Sequence, residues 1–129
     1  MSSELLSICI PTYNRSRLLG QILEVLGAQI RAAGAENVVL YISDNGSPDN
    51  TRQVVGEFQK QSGVRVVYSR NDTNLGISKN LLKVMAMGKG RFVWTLGRNN
   101  QEAAQLLCLH IDLDPFRYSQ HFPCVRGMT

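Results

Sequence analysis

Apolar residues in this chain come in short blocks separated by polar, turn-forming stretches, and the blocks alternate between two spacings. Leu5 to Ile10 is a nearly continuous apolar run, as are Val38 to Ile42, Val64 to Tyr68 and Arg91 to Gly97. Runs of that length and continuity predict strands covered on both faces, as in a parallel sheet. Between the first two, from Ser16 to about Ala33, Leu18, Leu19, Ile22, Leu23, Val25, Leu26 and Ile30 recur at helical spacing, and Gly34 is placed to end the helix. A second helix, from about Thr51 to Gln61, sets Val54, Val55 and Phe58 on one side and ends at Gly63. A third begins near Ile77, carries Leu81, Leu82, Val84 and Met85, and breaks at Gly88-Lys89-Gly90. Strands alternating with helices predict an α/β fold: three layers, a mostly parallel sheet of about four strands, and helices on both faces.

The polar punctuation carries the candidate chemistry. The first run meets Pro11, which has no N–H for a ladder, so the strand is expected to stop there and release Thr12, Tyr13 and Asn14, with Asn14 or Ser16 capping the helix. The second run meets the turn formers Ser43 to Thr51, and the third meets the long polar loop Ser69 to Gly76. In a parallel sheet the carboxyl ends of all strands share one edge, where open α/β sheets bind ligands, so the loops after Ile10, Ser43 and Gly97 are expected to converge. Asp44 can accept hydrogen bonds from a nucleotide's ribose or base, or cap the Asn45-Gly46 turn. Tyr13 can stack on a base or serve as packing. Lys79 and Asn80 can reach phosphate or ribose, with a solvated surface as the other reading of Lys79.

Composition narrows the classes. The chain has 129 residues, 43% hydrophobic and 19% charged, which is ordinary for one globular domain. No run approaches a membrane span and no basic-then-apolar leader opens the chain, so a cytoplasmic location is expected. Cys9, Cys108 and Cys124 form neither an even framework nor a close pair, which suits free thiols in a reducing compartment. Cys108 with His110 and His121 with Cys124 match no common zinc spacing, so zinc is not expected. The charge of +4 is spread out apart from Lys79, Lys83, Lys89 and Arg91, and no aromatics interleave with them, so no nucleic-acid partner is expected. The first loop lacks the glycines of a dinucleotide fingerprint, which disfavours a reductase.

Taken in order, Ser7-Ile-Cys-Ile-Pro-Thr-Tyr-Asn-Arg15, Ser43-Asp-Asn-Gly-Ser-Pro-Asp-Asn-Thr51, Asn71-Asp-Thr-Asn-Leu-Gly76 with Asn80, and Gly90-Arg-Phe-Val-Trp-Thr-Leu-Gly97 resemble family 2 glycosyltransferases of the GT-A fold, a Rossmann-like half-domain. The resemblance covers residues 5–97 and is similar to sugar transferases that build bacterial surface polysaccharides. It implies that Pro11, Tyr13, Asn14, Asp44 and Asn45 hold the nucleotide of a sugar donor, with Asn74, Gly76, Lys79 and Asn80 completing the pocket. It implies a nucleoside diphosphate sugar as donor, an acceptor sugar or lipid-linked saccharide, and peripheral membrane association as a further expectation. It also implies Mg²⁺ or Mn²⁺ on aspartates that follow the fourth strand.

Here the chain departs from that pattern, reading Arg98-Asn99-Asn100 in place of the aspartates. A cation and two amides leave only neutral oxygen ligands, so a divalent ion is not expected to bind well, and no catalytic residue is assigned. Residues 1–97 are therefore expected to be a nucleotide-sugar-binding half-domain, and 98–129 an atypical tail with one short helix over Gln101 to His110, then an irregular stretch from Asp112 to Thr129 that packs poorly. Asp112 and Asp114 lack the context of a catalytic base. The expectation that explains the change in character at Arg98 is a reading-frame shift or truncation after codon 97. The expected activity is weak donor binding with little turnover; the alternative is a non-catalytic nucleotide-binding or interaction module in which Arg98 replaces the metal's charge.

Overall fold

The computed structural model describes residues 4–34 and 36–96. Expectations that fall on Gly97, on Arg98 to Asn100 and on the tail to Thr129, Cys108 and Cys124 included, lie outside the described residues.

The elements run β1 (Leu6–Thr12), α1 (Ser16–Ala32), β2 (Val38–Asp44), α2 (Thr51–Ser62), β3 (Arg65–Arg70), α3 (Ile77–Met87) and β4 (Phe92–Thr95). The four strands form one parallel sheet in the order β3-β2-β1-β4. The strand pleat sorts the side chains into two cores. Leu6, Ile8, Ile10, Leu40, Ile42 and Trp94 face α1 and α2, joining Leu19, Leu23 and Leu26. Cys9, Val39 and Tyr41 face the other way, against Val84 and Leu81 of α3. Both faces of β1 and β2 are thus dry, which is why their sequences read as unbroken apolar runs. The three-layer α/β arrangement agrees with the pattern of the chain.

Several boundaries differ from the sequence reading, each for a physical reason. Pro11 does not end β1: it pairs with Ser43, and Thr12 pairs with Asp44. Leu5 and Cys9 accept hydrogen bonds from Phe92 and Leu96 on the β4 side, whereas Thr12 accepts from Asn45 on the β2 side. Pro11 therefore belongs to the set facing β4, whose last residue is Thr95, and its missing N–H falls where that ladder runs out. Ser43 and Asp44 belong to β2 rather than to the following turn, held by neighbours on both sides. Ser69 and Arg70 likewise extend β3, paired with Ser43 and Asp44.

Leu82, one of the apolar residues that α3 carries, is 65% exposed. Asn80 and Val84 are the residues that α3 turns to the sheet, and position 82 lies two steps of about 100° from each, on the far side. No neighbouring side chain caps α1, whose N-cap is Arg15; Asp49, more than thirty positions along the chain, accepts from the Ser16 N–H at 3.1 Å instead.

Candidate functional site

The register pair Thr12 and Asp44 places the loops after β1 and β2 side by side on the carboxyl edge. They are fastened by Asn45 N, which donates to Thr12 O at 2.9 Å. Asn14 N then donates to Ser47 Oγ at 2.8 Å, and Ser16 N to Asp49. Asn14 sits at φ +52°, in the left-handed region that asparagine tolerates better than most residues. Tyr13, 42% exposed, and Asn14, exposed, stand on this rim; Pro11 lies half-buried beneath them.

Asp44 is 1% exposed. Its Oδ1 accepts from Ser47 N at 2.9 Å and from Ser47 Oγ at 2.5 Å. Its Oδ2 accepts from Tyr68 OH at 2.6 Å, and Arg70 Nε lies 3.8 Å away. Arg70 also donates to Ser47 O at 3.0 Å. A carboxylate has about four lone-pair sites; hydrogen bonds fill three of them, and the Arg70 guanidinium stands nearby as an ion partner. With only 1% of its surface exposed, Asp44 offers little of the remaining capacity to a ligand. Burial, reinforced by the bond to Asp44, pushes the Tyr68 hydroxyl up to about 12, so it remains a proton donor throughout the neutral range. Burial alone would raise Asp49, but its hydrogen bonds with Thr51 and Ser16 outweigh that and hold the carboxyl below its ordinary value.

The third loop is anchored by a buried amide network. Asn45, 3% exposed, accepts at Oδ1 from Asn71 Nδ2 (2.9 Å) and Leu75 N (2.8 Å). It donates from Nδ2 to Asn74 Oδ1 (2.8 Å) and Gly76 O (3.2 Å). Asn80, also 3% exposed, donates to Ser43 O at 3.0 Å and accepts from Ser43 Oγ (2.7 Å) and Asn71 Nδ2 (3.0 Å). Lys83 closes the set by donating to Ser69 Oγ and Asn71 Oδ1. Gly46 is required here: its φ is +81°, and a Cβ would stand 3.3 Å from the Asn71 carbonyl oxygen.

The structure thus brings all nine expected residues to one edge, in two groups. Asp44, Asn45, Asn74 and Asn80 are bonded within the protein, with Gly76 O accepting from the same network, while Tyr13 and Asn14 are exposed after the half-buried Pro11 and Lys79 is exposed on the first turn of α3. Ser47, Tyr68, Arg70 and Asn71 were not singled out from the sequence. The signal for Ser47 was its place three residues after Asp44, the spacing of a side-chain-to-backbone turn; Asn71 opens the motif that runs to Gly76, and Tyr68 offered none.

Among the described residues no three His, Cys, Asp or Glu side chains stand together as a metal site. Asp44 and Asp49 are each occupied by internal donors, and Arg70 adds positive charge, so the described donor set does not fit Mg²⁺ or Mn²⁺. Among the described residues no helix is long and apolar enough to cross a membrane.

Comparison with known proteins places this rim in context. The chain is 30% identical over 105 residues to abequosyltransferase RfbV of Salmonella typhimurium, covering 81% of this chain and 31% of that protein. Among solved structures it is similar to residues 1–349 of TarS from S. aureus in complex with UDP, with a TM-score of 0.64 and 22% identity, covering 82% of this chain and 32% of that one. A mannosyltransferase from Pyrobaculum calidifontis, in complex with GDP-Man and Mn²⁺, gives a TM-score of 0.62 at 16% identity over 88% of this chain and 34% of that one. The chain therefore spans about a third of the length of these relatives. Residues 7–101 match the profile of glycosyl transferase family 2, and with these observations the chain belongs to that family.

Proposed function

We propose that this chain is the nucleotide-sugar-binding portion of a glycosyltransferase, holding a nucleoside diphosphate sugar on the carboxyl rim of its sheet. What supports the reading is the juxtaposition of the Tyr13-Asn14 turn with the Asp44–Ser47 loop, in a member of a sugar-transferring family. Tyr13 stacks on the base, and Pro11 and Asn14 form the wall beside it. Lys79 and the first turn of α3, which carries no acidic residue, favour the diphosphate. Asp44, Asn45, Asn74, Gly76 and Asn80 shape the pocket floor. In a longer relative an acceptor hydroxyl, on a sugar or lipid-linked saccharide, attacks the anomeric carbon opposite the departing diphosphate and inverts that centre.

For the chain by itself we expect weak donor binding and little or no turnover, because Arg98-Asn99-Asn100 stands where the family carries its metal-holding aspartates and Asp112 and Asp114 lack the context of a catalytic base. We place it in the cytoplasm, in line with the free thiol of Cys9. Calorimetry with UDP, CDP and GDP tests the donor site; no heat at millimolar nucleotide overturns it. Metal-dependent transfer of a radiolabelled sugar by this chain would overturn the expected inactivity.

A further inference from the structure

Asp44 looks like a ligand for the nucleotide, yet its oxygens are turned inward. One of its partners, Ser47, does two things at once. The Ser47 hydroxyl has a single proton, which goes to Asp44 Oδ1 at 2.5 Å, and its lone pairs face the Asn14 N–H at 2.8 Å. The direction of donation is thus fixed along the chain Asn14 N–H, Ser47 O–H, Asp44 carboxylate. A hydroxyl whose proton goes to an anion becomes a better acceptor, so the charge of Asp44 strengthens the grip on Asn14. Asn14 needs that grip, because it is the non-glycine residue with a positive φ, +52°, among the described residues. Two residues further on, Ser16 N is held by Asp49. The turn between β1 and α1 is therefore pinned at two points by the loop after β2, with Tyr13 projecting at the first of them.

We propose that Ser47 is a positioning residue: with Asp44 behind it, it fixes the left-handed Asn14 turn and so sets the Tyr13 ring on the nucleotide-facing rim. The proposal rests on the donor-site reading above for its consequence, but not for its geometry. Asp44 then acts on the donor through Ser47 and Tyr13 rather than by touching it.

The test uses the full chain labelled with 3-fluorotyrosine, the Tyr13 resonance being assigned with Tyr13→Phe. Without nucleotide, Ser47→Ala is expected to move the Tyr13 signal toward that of free fluorotyrosine. The Tyr41 signal, whose hydroxyl bonds Glu4 rather than this loop, stays in place and shows that the fold is intact. Ser47→Thr keeps the hydroxyl and restores the Tyr13 position. A Tyr13 signal unchanged in Ser47→Ala overturns the proposal. In titrations with UDP, CDP and GDP, Ser47→Ala weakens binding about fivefold, the scale of one ordering hydrogen bond, and has no further effect in a Tyr13→Ala background. Independent, additive losses from the two substitutions also overturn it. If none of the three nucleotides binds the unaltered chain, the donor reading falls, and the fluorine signal alone decides for or against the positioning of Tyr13.

Discussion

Asn45 offers a sharp test of the buried network, because Asn45→Asp changes almost no volume yet reverses the polarity of one side-chain atom. The amide is 3% exposed and uses both faces: its oxygen accepts from Asn71 and Leu75, and its NH₂ donates to Asn74 Oδ1 and Gly76 O. In the carboxylate the two accepted bonds survive and the two donated ones vanish, leaving oxygens facing oxygens. Each lost bond is worth about 1 kcal/mol net, and a buried acceptor left facing an anion adds about 1–2 kcal/mol, so the loss at neutral pH is expected to be about 3 kcal/mol. For a domain of ordinary stability, about 5–15 kcal/mol, that is a large fraction. The new carboxyl, buried without donors for one oxygen, has its folded-state pKa raised. A group of that kind stabilises below its unfolded pKa of about 4 and loses the contribution as pH climbs through the folded value, so the deficit should shrink on acidification. Urea unfolding followed by Trp94, the chain's single tryptophan and 2% exposed, reads the change directly. A destabilisation below about 0.5 kcal/mol at pH 7, or a deficit that grows toward pH 5, would refute the network as drawn.

Further outcomes follow from the same geometry. Gly46→Ala must hold φ at +81° and bring a Cβ to 3.3 Å from backbone atoms of Asn71 and Thr73, so unfolding free energy should fall by about 1–3 kcal/mol, measured by the same titration. Leu82→Lys, at a helix position 65% exposed, should change stability by less than about 0.5 kcal/mol, and a larger loss would mean that the outer face of α3 is covered. Burial first, then Asp44 for Tyr68 and Glu4 for Tyr41 and Cys9, pushes all three from 10.0, 10.0 and 9.0 up to about 12. Groups with raised folded pKa values stabilise fully below their unfolded values and lose that contribution as pH rises toward the folded ones. The urea midpoint should therefore fall between about pH 9 and 12, and Tyr68→Phe should flatten part of that slope.

The layers of the fold were legible because burial on both faces leaves a mark that needs no partner to be known. Leu6 to Ile10 and Val38 to Ile42 are apolar at every step or nearly so, and only a covered parallel strand tolerates that. The ends of those strands were misread because local preference and tertiary pairing disagree there. Pro11 and the turn formers Ser43 and Asp44 each carry a local signal for leaving a sheet, and each is overruled by its register partner. The candidate site shows the same limit more strongly. Asparagine, serine and aspartate are the residue types of turns, of buried networks and of ligand contacts alike, so type alone could gather Tyr13, Asn14, Asp44, Asn45, Asn74 and Asn80 but could not divide them. The division depends on bonds such as Asn45 to Asn71, Tyr68 to Asp44 and Ser43 to Asn80, each spanning more than twenty positions. Once those bonds are drawn, the amides cease to be free recognition groups and become the frame, and the exposed ring of Tyr13 and the cation of Lys79 are what the frame presents. A rim built in this way holds its backbone by partners of its own, so the ordering cost of meeting a ligand falls on the side chains it exposes rather than on the frame.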